Sequence, residues 1–201
     1  MSDNFFDKYD LYVEGDSQYC YAGSYVLKNK LGIRDAETFK RAEAEISYAA
    51  MLELQLRPIS GGFDKAHLYA VHKFLFEGFY DFAGKTRKED ISKGNTKFCV
   101  WLYIDDQLNE LFSKIKKRDV NFTDKAEVCD FLSYVMAELN VIHPFREGNG
   151  RAVREFIREY ALSLGYNLDW SRADKNELLN AMIESVFNTS RLKTCLNKCL
   201  S

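Results

Sequence analysis

Two prolines, Pro58 and Pro144, are all that this chain of 201 residues contains. With 11 glycines they leave few interruptions, and so rarely broken a chain favours long helices over a sheet of many turns. The apolar spacing agrees. Asp35 is placed to cap a helix running through Phe39, Ala42, Ile46, Ala49 and Leu52, which Pro58, Gly61 and Gly62 break. Asp64 caps a second, with Leu68, Val71, Leu75 and Phe79 on one side and Gly84 just past its end. A third carries Ile104, Leu108, Leu111, Phe112 and Ile115. Asp124 and Glu127 form a capping-box pattern before Val128, Phe131, Leu132, Val135, Met136 and Leu139, and Pro144 stops that helix. Another begins near Gly150, passes Val153, Phe156, Ile157, Tyr160 and Leu164, and stops at Gly165. Two short segments follow, one with Leu178, Met182 and Val186, one with Leu192, Cys195, Leu196 and Cys199. Only residues 87–100 read differently: Ile91 and Phe98 flank Lys93-Gly94-Asn95, a turn that tolerates positive φ, so a small hairpin is expected. Residues 1–25 look irregular. The expectation is one mainly helical, all-α domain over residues 1–201 with a single β-hairpin.

Hydrophobic residues make up 46% of the chain and aromatics 14%, enough to fill a core, which excludes a disordered chain. The net charge is -2, from 28 basic and 30 acidic residues, so no global field draws the chain to nucleic acid or to a membrane. No apolar run is long enough to span a bilayer, and the polar start, Met1 to Asp10, has no signal core. Five cysteines, at 20, 99, 129, 195 and 199, give an odd count without a disulfide or zinc spacing; Cys195 and Cys199 lie one turn apart without a second pair. Idle thiols and a reducing cytoplasm follow. Export by a separate route, as a secreted effector, stays open. His67 and His72, five apart, are badly spaced for one helical face, and neither a zinc-protease motif nor a P-loop occurs.

The chemistry gathers in His143-Pro144-Phe145-Arg146-Glu147-Gly148-Asn149-Gly150-Arg151-Ala152-Val153-Arg154. Gly148, Asn149 and Gly150 can adopt the backbone angles of an anion-binding nest. They sit where a helix begins, so its macrodipole and unpaired N–H groups favour a phosphate. Arg151 and Arg154, three apart, can offer charged forks on one face. Glu147, beside the nest, is a natural Mg²⁺ ligand next to a polyphosphate. His143 can take a proton near neutral pH. Each feature alone has an ordinary structural reading: a helix-ending histidine, a turn, a surface ion pair, a plain hairpin. Their collection in one loop does not.

This segment resembles the signature of the Fic family, H-x-F-x-[DE]-G-N-G-R-x-x-R, at every fixed position. The likeness extends over nearly the whole chain. Val71 to Phe76 and Phe82-Ala83-Gly84-Lys85-Thr86-Arg87 resemble the helix and turn before the family's hairpin, called the flap; Ile91 to Phe98 resemble the flap, and Val26 to Ile33 the opening of many bacterial members.

The resemblance implies a protein adenylyltransferase that moves AMP from Mg-ATP onto a Tyr, Thr or Ser hydroxyl of a target protein. His143 would be the general base and Phe145 a buried anchor. Glu147 would hold Mg²⁺ between the α- and β-phosphates. Gly148, Asn149 and Gly150 would bind phosphate oxygens, Arg151 the β-phosphate and leaving pyrophosphate, and Arg154 the γ-phosphate. Lys93 and Gly94 belong to the flap, which would align the target by strand addition. Doc-type relatives, which are kinases, carry lysine where Gly150 stands, which favours AMP transfer here. A nest reads phosphates and not bases, so UTP, GTP or a CDP-alcohol remains an alternative donor, and a non-catalytic binding module with a nucleotide pocket is the alternative of another class. Many members carry an inhibitory [ST]-x-x-x-E-[GN] helix. Glu14-Gly15 follows Asp10 and Glu77-Gly78 follows Lys73, so neither fits. The resemblance then implies a small helical antitoxin as partner. Stand-alone relatives that modify type II topoisomerases and secreted relatives that modify host GTPases both suit the chain.

Overall fold

A computed structural model describes residues 10–11, 17–94, 96–118 and 121–201. Seven α-helices occur among them: α1 (Ala36–Leu56), α2 (Lys65–Phe76), α3 (Ile104–Lys117), α4 (Lys125–Ile142), α5 (Asn149–Ser163), α6 (Lys175–Glu184) and α7 (Ser190–Cys199). The caps are those the sequence proposes. Asp35, Asp64 and Asp124 accept from the N–H of Thr38, His67 and Glu127, and the Glu127 carboxylate reaches back to the Thr123 N–H at 2.8 Å. Past α5, Gly165 takes φ +86 and the Tyr166 N–H returns to the Ala161 carbonyl, which ends the helix. Two boundaries differ: α2 stops at Phe76, three residues early, with Phe79 reaching the core from the turn beyond, and α6 stops at Glu184, short of Val186.

Helices α4 and α5 lie at the centre. α5 packs on α2 and α4, α4 also carries α3 and α7, and α1 covers α2. Val128, Phe131, Leu132, Val135 and Leu139 of α4 and Ala152, Phe156 and Ile157 of α5 belong to one core, all buried. The core is thus built around the hinge between α4 and α5, which is the signature segment. Burying a side chain of this size contributes about 1.5–3 kcal/mol, so the hinge lies in the best-supported part of the molecule.

The inward face of α1 is the expected one only in part: Phe39, Ala42 and Ile46 pack against the core. Ala49 and Leu52 are exposed, while Glu43, Ser47 and Leu54 are buried. Apolar periodicity assigns the stripe by hydrophobicity, and polar residues face inward when a charged partner meets them there.

The hairpin pairs β2 (Ile91–Lys93) with β3 (Thr96–Lys97), in register Ser92 with Lys97 and Lys93 with Thr96. Gly94 takes φ +54 at the turn, and Asn95, also assigned to the turn, lies outside the described residues. A third strand, β1 (Asp10–Leu11), joins β2 on its other edge, antiparallel. The N-terminal stretch expected to be irregular therefore supplies a strand. Two residues held by backbone hydrogen bonds leave no side-chain alternation to detect.

Candidate active site

His143 closes α4 in the left-handed conformation, φ 50 and ψ 62, which turns the chain into Pro144. Arg87 holds that turn. Its buried guanidinium donates from Nε to the His143 carbonyl at 2.9 Å, and to the carbonyls of Glu89, Cys99 and Ile142. Its own N–H donates to the Pro144 carbonyl at 2.9 Å. One side chain thereby ties the end of α4 to both flanks of the hairpin.

The imidazole of His143 is buried, stacked on Phe98 with centroids 3.7 Å apart. Nδ1 lies 3.0 Å from the Asn140 carbonyl, an atom that only accepts, so Nδ1 carries the proton and Nε2 the lone pair. Burial pushes the pKa down to about 3, against the Asn140 hydrogen bond, with Arg87 and Lys93 adding to the depression. Lys93 and Gly94 stand exposed at the hairpin tip, close enough for the lysine charge to be felt at His143.

A second histidine props the loop. His72 accepts the Gly84 N–H at Nδ1, 2.8 Å, donates from Nε2 to the Glu147 carbonyl, 2.9 Å, and stacks on Phe145. Asn149 spans the same loop: Oδ1 accepts the Phe145 N–H and Nδ2 donates to the Phe145 carbonyl, 2.8 and 2.7 Å. Its side chain is thereby committed to the loop, and only its backbone N–H is left to face a ligand. Gly148 is the N-cap of α5 at φ 78, and its N–H donates to Glu147 Oε1 at 2.9 Å. The Arg151 and Ala152 amides donate to the Gly148 carbonyl at 3.1 and 3.0 Å, which leaves the Asn149 and Gly150 amides as the ones without an intrahelical acceptor. Gly150 lies against Arg154, whose Nη1 would be 3.3 Å from an added Cβ.

Glu147 has its acidity weakened by burial, with Arg151 pulling the other way. Arg151 Nη2 is 3.8 Å from Glu147 Oε1, and the guanidinium lies over the Phe76 ring. The Tyr80 hydroxyl is buried with no hydrogen-bond partner among the described residues; burial, Glu43 and Glu147 all oppose its ionisation.

His143, Glu147, Gly148, Asn149, Gly150, Arg151 and Arg154 thus share one loop and helix start, with Lys93 within electrostatic reach of His143 and Gly94 at the hairpin tip. Sequence reasoning gave no role to Arg87, His72, Phe98, Glu43 or Tyr80. Arg87 was visible only as the last residue of a family-like turn, since a buried arginine bonding carbonyls has no periodic signature.

The Fic/DOC family model matches residues 62–161. Fic of Escherichia coli K12, named a probable protein adenylyltransferase, is 32% identical over 167 residues, covering 83% of this chain and 82% of its own. The chain belongs to the Fic/DOC family. The protein adenylyltransferase VbhT of Bartonella schoenbuchensis is 40% identical over 172 residues, 85% of this chain, although the match spans only 36% of VbhT. Among solved structures, the Fic domain of a VirB-translocated effector of Bartonella quintana, with bound ADP, superposes with a TM-score of 0.83 at 26% identity, covering 91% of this chain and 94% of that one. BepC of Bartonella tribocorum, with bound AMPPNP, gives 0.81 at 25% identity, covering 91% and 96%.

Among the described residues of this Fic protein, no helix is long and apolar enough to cross a membrane. The two propped histidines predict how it responds to acid. His72 and His143 both have pKa values held down to about 3 by burial. Unfolded, each titrates near 6.5. The depressed folded values mean that their contribution is complete above pH 6.5 and is lost as pH falls from there towards 3. By pH 5 the loss is on the order of 2 kcal/mol per histidine. Glu147 and Glu155, whose pKa values burial raises, act in the opposite sense. The clean comparison is therefore wild type against His72→Gln in urea melts at pH 7.5 and 5, without nucleotide. The variant should lose less stability between the two pH values; equal losses refute the assignment.

Proposed function

We propose that this Fic protein is a protein adenylyltransferase, joining AMP from Mg-ATP to a Tyr, Thr or Ser hydroxyl of another protein. The observation that carries the reading is the acceptor tautomer of His143, held by the Asn140 carbonyl, at the head of the loop that forms the glycine cradle. The hydroxyl oxygen attacks Pα, the bond from Pα to the bridging oxygen breaks, pyrophosphate leaves, and the proton passes to Nε2. The nucleotide's negative charge favours the imidazolium that forms. Arg151 and Arg154 neutralise the departing phosphates, and positioning does the rest.

The residues suit a Mg-nucleotide. Gly148 has no room for a Cβ, Glu147 presents its carboxylate beside the first-turn amides, and the partnerless Tyr80 hydroxyl lies within electrostatic reach of Glu147. Among the described residues no three His, Cys, Asp or Glu side chains cluster as a metal cage. One carboxylate plus substrate phosphates is the usual manner of holding Mg²⁺. When bound, the ion supplies charge neutralisation between the phosphates.

The hairpin would align the target by strand addition. The pairing of Asp10–Leu11 with β2 shows that this edge accepts an added strand, and a target laid there would take the place of β1. Targets would be cytosolic proteins, of the producing cell or, after export, of another. A small helical antitoxin would restrain the enzyme by offering a glutamate to Arg154 in competition with the γ-phosphate.

Incubation of a lysate with α-labelled and, separately, γ-labelled ATP tests this. Label on protein from α alone is expected, with an added AMP by mass spectrometry. Label from γ alone means a kinase; label only from UTP, GTP or a CDP-alcohol means another donor; none means a binding module. Adding the product of a neighbouring small gene should suppress the α label; unchanged labelling removes the antitoxin.

A further inference from the structure

Glu43 and Ser47 stand one turn apart on the buried face of α1, outside the signature, and both are bound to Arg151. Glu43 Oε2 accepts from Nη1 at 2.8 Å and Oε1 from Nη2 at 2.6 Å, while Ser47 Oγ accepts from Nη1 at 2.7 Å. The Phe76 ring lies below the guanidinium, 4.7 Å from Cζ. Two carboxylate oxygens and a hydroxyl fix the fork in its plane, and the aromatic face fixes the plane itself. An arginine side chain otherwise carries much rotamer freedom, which a ligand would have to remove on binding. Here it is removed by α1 in advance. Arg151 is consequently set beside Glu147, next to the Gly148 cradle.

We infer that Glu43 and Ser47 are positioning residues of the donor site, holding the Arg151 guanidinium where the β-phosphate and leaving pyrophosphate bind. This rests on the adenylyltransferase reading and deepens it, because it assigns α1 a part in recognising the donor. It also accounts for two polar residues on the inward face of an amphipathic helix. A bidentate carboxylate opposite a buried arginine leaves the pair close to neutral, so a polyphosphate meets an ordered donor whose charge is shared with α1.

The test separates positioning from plain cohesion between α1 and α5. In a His143→Ala background, where turnover is too slow to consume the nucleotide during the titration, Glu43→Gln should weaken Mg-ATP binding about tenfold by calorimetry, because it removes a charged bidentate acceptor. Binding of AMP, which has no β-phosphate, should stay within about twofold. Ser47→Ala, the milder change in case Glu43→Gln folds poorly, should weaken ATP about threefold and again spare AMP. In an Arg151→Ala background Glu43→Gln should add no further loss of ATP binding. Equal losses for ATP and AMP, an additional loss without Arg151, or tighter ATP binding in Glu43→Gln would each overturn the assignment. Loss of ATP binding in Glu43→Gln, alongside wild-type protein that labels nothing, would leave the positioning role standing and remove the adenylyltransferase reading instead.

Discussion

His143→Ala is expected to lower AMP transfer by about 10²–10⁴-fold, the usual worth of a general base, while ATP binding changes little. On the proposed reading the cradle, Glu147 and the arginines hold the nucleotide, and the imidazole lies at the other end of the loop. Its Nδ1 proton is committed to the Asn140 carbonyl, so only Nε2 can receive the proton of an attacking hydroxyl. Neither charged neighbour among the described residues can replace it: Lys93 is a cation and Arg87 is spent on carbonyls. The backbone needs separate control, since His143 sits at φ 50, where alanine is strained by about 1–2 kcal/mol. His143→Asn tolerates that conformation and supplies it. Single-turnover transfer from α-labelled ATP would be measured for both variants beside their melting curves. A folded His143→Asn protein that transfers AMP within tenfold of wild type would end the general-base assignment.

Where the sequence was legible, local chemistry and global packing coincide. Asp35, Asp64 and Asp124 cap helices because their carboxylates meet amides three residues on, which spacing alone reveals. The signature segment was legible because Gly148, the Glu147 carboxylate and the start of α5 are contiguous in the chain. What stayed hidden is long-range and polar. Glu43 and Arg151 are 108 residues apart, and Arg87 and His143 are 56 apart. Periodicity placed Ala49 and Leu52 inward on α1 because it cannot know that Arg151 waits for Glu43 and Ser47 on the adjacent face. His72 looked like a poor zinc ligand, and its actual work, bridging the Gly84 amide and the Glu147 carbonyl, needs both folded turns around it.

The Gly148→Ala substitution should damage both stability and ATP binding, through the same contact. An added Cβ would lie 2.3 Å from Phe76 Cζ and 2.4 Å from Cε2, too close for any real carbon pair. Phe76 cannot yield, because it is fully buried at the end of α2, packed against His72 and Tyr80, with Arg151 over its face. The loop must therefore lift, and a φ of +78 adds backbone strain for alanine. Overpacking and strain together cost roughly 2–5 kcal/mol, which lowers the melting temperature by about 5–15 °C in a domain of this size. Lifting the loop carries Glu147 with it, because the Gly148 N–H is bound to Oε1, and it turns the first-turn amides away from the phosphates. ATP affinity should fall by more than about tenfold as those hydrogen bonds are lost. Gly150→Ala is the control: its Cβ would meet only the Arg154 Nη1 at 3.3 Å, the far end of a flexible side chain, with no left-handed angle to satisfy. It should melt within a few degrees of wild type. If Gly148→Ala keeps wild-type ATP affinity, the phosphates do not lie over Gly148, and the cradle must be sought elsewhere along α5.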